Sequence, residues 1–80
     1  MASVMKPNHD ITQTLMAVTV NGELLHLPTG ATVADAAQAR GVQPPFAAAV
    51  NMSFVPRPLH GQTPLGEGDV VELISPITGG

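Results

Sequence analysis

Cysteine is absent from all 80 residues. Disulfides and thiolate metal sites are excluded, and no group can be carried covalently on a thiol of this chain. Tryptophan and tyrosine are missing too, and Phe46 and Phe54 are the only aromatic side chains, which leaves little surface on which nucleic-acid bases could stack. Cations are scarce. Lys6, Arg40 and Arg57 are scattered along a chain with six carboxylates and a formal net charge of −3, so there is no basic footprint for a phosphate-rich partner and nucleic acid is not an expected ligand. Hydrophobic runs are short: none approaches the ~18 residues of a membrane span, and Met1–Asp10 has no apolar core of the secretory kind. A cytoplasmic protein without membrane contact is the expectation. His9, His26 and His60 show no ligand spacing, which argues against a metal site. No nucleophile, base and orienting group are clustered, which argues against an enzyme in its own right.

The chain is long enough for one domain of modest stability. Its apolar content of 44% comes mostly from Ala, Val and Leu, so the core it can build is thin. Residues 1–15 read as a polar, unpatterned and flexible N-terminal extension, residues 16–75 as the folded domain, and residues 76–80 as a flexible tail ending in Gly79-Gly80. Met16 opens the first periodic segment and could itself be the natural start.

From Met16 the pattern alternates, with Met16, Val18 and Val20 on one side of a strand and Ala17 and Thr19 on the other. Asn21-Gly22 is a strong hairpin signal, because a type I′ turn needs positive φ at both central residues. A two-residue loop pairs Val20 with Glu23 and places Leu25 and Leu27 on the face of Val18 and Met16. Pro28-Thr29-Gly30 ends that strand. Thr32 then reads as a helix N-cap, with Asp35 where the helix dipole favours an anion, and the helix runs over Val33–Arg40 to a left-handed Gly41. Its inner face, Val33, Ala36, Ala37 and Arg40, is mostly alanine. Such a helix can lie close to a sheet while burying little area.

Phe46–Asn51 has strand length, Asn51-Met52-Ser53 reads as a turn, and Phe54-Val55-Pro56 as a short return strand at an edge, because Pro56 donates no ladder hydrogen bond. Arg57–Pro64 reads as loop with a helical turn, and Gly66–Asp69 as a sharp turn into a last strand, Val70–Ser75. The order strand, strand, helix, strand, short strand, strand describes an α+β fold: a mixed sheet with one main helix packed on one face and the first and last strands parallel at its centre. This is the β-grasp, or ubiquitin-like, arrangement. A ferredoxin-like split βαβ would need a second helix that the sequence lacks.

The two terminal glycines have no side chains and can pass through a narrow channel to deliver a bare α-carboxylate. Residues 76–80, extended at ~3.3 Å each, reach about 16 Å from the body. Pro76 restricts the root of this tail and lowers the entropy lost on insertion. After Met16 the carboxylates Glu23, Asp35, Glu67, Asp69 and Glu72 outnumber Arg40 and Arg57, so a partner with a basic face would be drawn in a salt-dependent way. Phe54, Val55 and Leu73 fit either a partner-docking patch or the core. Arg57 fits either a contact to a partner carboxylate or a structural cation.

In order and spacing, several segments together resemble the ubiquitin-like sulfur carriers of the ThiS/MoaD superfamily, most closely the ThiS type of thiamine biosynthesis. They are Val18-Thr19-Val20-Asn21-Gly22-Glu23, Ala31-Thr32-Val33-Ala34-Asp35, Ala49-Val50-Asn51, Phe54-Val55-Pro56-Arg57, Gly68-Asp69-Val70-Val71-Glu72 and Ser75-Pro76-Ile77-Thr78-Gly79-Gly80. The resemblance spans residues 16–80. It departs in the longer lead-in and in helix alanines where leucines are common. It implies that a ThiF-like enzyme adenylates the Gly80 carboxylate, that sulfur from a cysteine-desulfurase pathway turns it into a thiocarboxylate, and that a ThiG-like thiazole synthase receives the sulfur. Pro76, Ile77, Thr78, Gly79 and Gly80 would form the tail presented to partners. No phosphate-cradling glycine loop followed by lysine is present, so ATP and Mg are expected on the adenylating partner and no cofactor on this chain. The chain would act as a protein co-substrate, monomeric when free. Two other readings share the scaffold: a MoaD-like carrier serving molybdopterin or another acceptor, and a non-catalytic β-grasp interaction module.

Overall fold

The structure is a computed structural model, and it describes residues 14–76. Five strands and one α-helix follow in the order β1 (Leu15–Val20), β2 (Glu23–Pro28), α1 (Val33–Arg40), β3 (Ala47–Val50), β4 (Ser53–Val55) and β5 (Val70–Ile74), with a 3-10 helix over Arg57–Gln62 between the last two strands. The sheet order is β2-β1-β5-β3-β4. β1 and β5 run parallel, and the other neighbours are antiparallel. This is the expected β-grasp arrangement, with β5 at the centre and β4 at an edge.

The first hairpin closes in the register that its turn demands. Val20 faces Glu23, Val18 faces Leu25 and Met16 faces Leu27. Asn21 and Gly22 take φ of 52° and 83°, as a type I′ turn requires. β1 begins at Leu15, one residue earlier than the alternation alone suggests. Of the expected N-terminal extension, residues 1–13 lie outside the described residues. Of the expected tail, Pro76 is described and residues 77–80 lie outside.

Helix α1 keeps its expected bounds because both ends are specified locally. The Asp35 amide donates to the Thr32 hydroxyl at 3.2 Å, and the Thr32 amide donates to the Asp35 carboxylate at 2.9 Å, which is a capping box. Gly41 takes φ of 83°. The Gly41 and Val42 amides donate to the carbonyls of Gln38 and Ala37, the paired bonds of a Schellman motif. Val33, Ala36 and Ala37 are buried. Arg40, expected on the same face, instead reaches the helix flank and pairs with Glu23 at 2.9 Å, with both side chains well exposed, a contact worth about 0–1 kcal/mol.

The core lies between α1 and one face of the sheet. Val18, Val20, Val33 and Val71 are its largest fully buried side chains, and four alanines, Ala31, Ala36, Ala37 and Ala48, complete much of the rest. Phe46 precedes β3 and is buried against the ring of His60, with centroids 4.9 Å apart and planes inclined by 7°. Residues Arg57–Gln62 form a longer 3-10 segment than the single turn expected from their prolines. Its exit is sewn to the helix start, where the Leu65 amide donates to the Ala31 carbonyl and the Val33 amide to the Thr63 carbonyl.

Candidate functional site

The described chain ends at Pro76, where the expected tail begins. β5 bonds to β1 on one side and β3 on the other, so Ser75 and Pro76 leave the centre of the sheet rather than an edge. Two distant asparagines hold this strand in place. The Leu73 amide donates to Asn21 Oδ1 at 2.8 Å, and the Val70 amide donates to Asn51 Oδ1 at 2.9 Å. Asn51 Nδ2 also donates to Asp69 Oδ1 at 3.0 Å, and Asp69 Oδ2 accepts from the Gly66 amide at 2.7 Å. Glu67 Oε1 accepts from the Ala17 amide at 2.9 Å, so the turn before β5 continues the edge of β1 where paired strand ends. Glu67 and Asp69 thus shape the approach to β5, as expected of turn residues.

The strand alternation divides the sheet into two faces. Val71 and Leu73 point to the helix side, while Val70, Glu72 and Ile74 point away from it. The register sets Leu24, Thr19 and Val70 in one row across the open face, Phe54, Ala49 and Glu72 in another, and Ala47 beside Ile74. Leu15, Leu24, Phe54, Val70 and Ile74 are large apolar side chains left exposed on this face, with Phe54 at 70% and Ile74 at 66% of full exposure. No Lys or Arg lies among the open-face residues of the five strands. Glu72 and His26 lie on the same face among these apolar side chains.

Of the residues picked out from sequence as docking candidates, Phe54 lies on the open face, and Arg57 is exposed at the start of the 3-10 helix. Val55 and Leu73 are only 8% and 5% exposed. Between the two readings left open for them, burial selects the core. The physical reason is the period of two: Val55 follows Phe54 and Leu73 precedes Ile74, so in each pair one side chain points inward and its neighbour outward. Leu15, Leu24, Val70 and Ile74 were the missed members of the exposed face. The alternation in Val70–Ile74 could have found two of them once Val71 was placed inside. Pro76 is exposed at the tail root, and Ile77, Thr78, Gly79 and Gly80 lie outside the described residues. His60 is buried and donates from Nε2 to the Val55 carbonyl at 3.1 Å. Among the described residues no group of three or more metal-ligating side chains comes together.

Comparison with known proteins agrees with this geometry. A solved structure of the thiamine biosynthesis protein ThiS from Geobacter metallireducens superposes with a TM-score of 0.66 at 25% sequence identity, covering 81% of this chain and all of that one. No curated protein matches the chain. The model of the ThiS family matches residues 10–80, through the alternating strand, the capped helix and the Gly-Gly end, and the chain belongs to the ThiS family of sulfur carriers.

Proposed function

We propose that this chain carries sulfur as a thiocarboxylate on Gly80 and delivers it for thiazole formation in thiamine biosynthesis. The observation that carries this reading is the position of the tail root: a central strand, paired with β1 at Val70 and Val71 and with β3 as far as Ile74, hands Pro76 to solvent beside a sheet face that exposes Leu24, Phe54, Val70 and Ile74 and carries Glu72 but no Lys or Arg. A ThiF-like enzyme docks on that face, with Phe54 and Ile74 as anchors, while the tail from Pro76 to Gly80 enters its active site. The ThiS family match extends through Gly80 and supports the same assignment.

The chemistry is set by what a carboxylate lacks. Its oxygen is a poor leaving group, so direct attack by sulfur at the carbonyl carbon fails. The Gly80 carboxylate oxygen attacks the α-phosphorus of ATP, pyrophosphate leaves, and a mixed anhydride forms. A persulfide from a cysteine-desulfurase pathway then attacks the carbonyl carbon, the C–O bond to AMP breaks, and a thiol of the partner system cleaves the resulting acyl disulfide, leaving the thiocarboxylate on Gly80 and a disulfide on the donor side. ATP, Mg and the catalytic groups belong to the partner, and this chain serves as co-substrate. Gly79 and Gly80 add no side chains to the channel through which the carbonyl must pass. A ThiG-like thiazole synthase accepts the sulfur from the thiocarboxylate.

Isotope exchange tests the first step. With a ThiF-like partner, labelled pyrophosphate enters ATP only when the full chain is present, and deletion of Gly80 abolishes the exchange. Exchange that persists at full rate with the Gly80-deleted chain would refute the assignment.

A further inference from the structure

A second concave site lies on the helix side of the sheet, away from the face assigned to the adenylating partner. Ala37, Gln38, Val42, Phe46, Arg57 and His60 are among the residues that line it, and it encloses about 430 Å³, a size typical of small-molecule sites. Its floor is apolar: Ala37 and Phe46 are buried and Val42 is half-buried. Among the described residues no carboxylate lines it.

Two polar groups in its wall have chemistry left to satisfy. His60 is 6% exposed, and because a carbonyl can only accept, its Nε2 must carry the proton in the bond to Val55. With the ring's one proton on Nε2, Nδ1 offers a lone pair as an acceptor, and among the described residues it has no hydrogen-bond partner. Arg57 precedes His60 by three residues in the same 3-10 helix, where side chains at i and i+3 eclipse, so both side chains border one groove. Among the described residues the ion pair is Arg40 with Glu23, and Arg57 has no carboxylate within pairing distance.

A single cation, a buried acceptor and an apolar floor together specify a ligand. Its charge is one negative unit, since a dianion would leave half its charge unmatched at a lone guanidinium. A planar carboxylate fits the guanidinium fork. An N–H close to that carboxylate satisfies His60 Nδ1, and a ring-sized or branched apolar body covers Phe46 and Val42. We propose that this groove binds an amphipathic monocarboxylate of the N-acyl amino acid type, with its carboxylate on Arg57, its N–H on His60 and its side chain against Phe46. The site lies on the opposite side of the sheet from the open face, so it can be filled while a partner is docked there.

The test is an amide NMR titration of the full 80-residue chain with N-acetylphenylalanine, with N-acetylphenylalaninamide and N-acetylglycine as controls. The expected result is saturable shifts at Gln38, Val42, Phe46 and His60, with affinity at least about tenfold weaker for the uncharged amide and for the ring-less glycine derivative. Arg57→Gln, at an exposed position, weakens N-acetylphenylalanine binding by a similar factor, and Arg57→Lys falls between, since it keeps the charge and loses the fork. Binding that does not saturate below ~20 mM, shifts centred on Phe54 and Ile74, or full affinity in Arg57→Gln would each overturn the proposal.

Discussion

Asn21 and Asn51 play the same part in two different hairpins. Each sits at positive φ, 52° and 51°, and each uses its side-chain oxygen to accept a backbone N–H of β5. Asparagine is one of the few residues that tolerates this backbone region and also offers an acceptor. Asn51→Ala loses two side-chain hydrogen bonds and strains the turn, and the expected destabilisation is about 1–3 kcal/mol in urea unfolding. Asn51→Gly keeps the backbone geometry and should be the milder of the two; an alanine variant as stable as the wild type would contradict this role. The turn at Asn21-Gly22 was readable from the dipeptide. The bond from Asn21 to Leu73, 52 positions away, was not, because nothing local encodes it. The same limit affected Val55 and Leu73: their apolar character was plain, but which of two adjacent side chains faces inward depends on the register of the neighbouring strand.

Helix α1 is eight residues long and packs through alanine, so its ends contribute a large share of its stability. Thr32→Ala removes the cap and should cost about 1 kcal/mol, seen as a lower unfolding midpoint with an unchanged denaturant slope. Ala36 is fully buried, and the close approach it permits leaves no room for a larger side chain. Ala36→Leu should destabilise by about 1–3 kcal/mol through overpacking; a neutral result would mean that the helix can lift off the sheet without loss. The bounds of α1 were legible in Thr32, Asp35 and Gly41 because capping is chemistry between near neighbours. The 3-10 helix was only partly legible, since Arg57–Gln62 is held by the stack of His60 on Phe46, a tertiary contact. Phe46 likewise looked like a strand residue and instead fills the core just ahead of β3.

Across the whole molecule, the sheet separates two jobs. One face builds the core with α1, and the other presents Leu24, Phe54, Val70 and Ile74 beside the root of the tail. Charge on the open face should block docking without harming the fold: Phe54→Asp and Ile74→Asp are each expected to weaken binding to an adenylating partner at least tenfold, about 1.4 kcal/mol, with little change in thermal midpoint. Loss of binding accompanied by unfolding would point to a structural role instead. The acidic excess predicts that the complex weakens as salt rises, and an affinity unchanged between low and high salt would remove electrostatic steering from the account. The central claim concerns the last carbonyl carbon of the chain, and intact mass spectrometry reads it directly. After incubation with a ThiF-like enzyme, ATP and a sulfur source, the protein should gain about 16 Da as one oxygen is exchanged for sulfur through the acyl-adenylate, and the Gly80-deleted chain should gain nothing. An unmodified mass under conditions where the partner is active, or the same gain without Gly80, would contradict it.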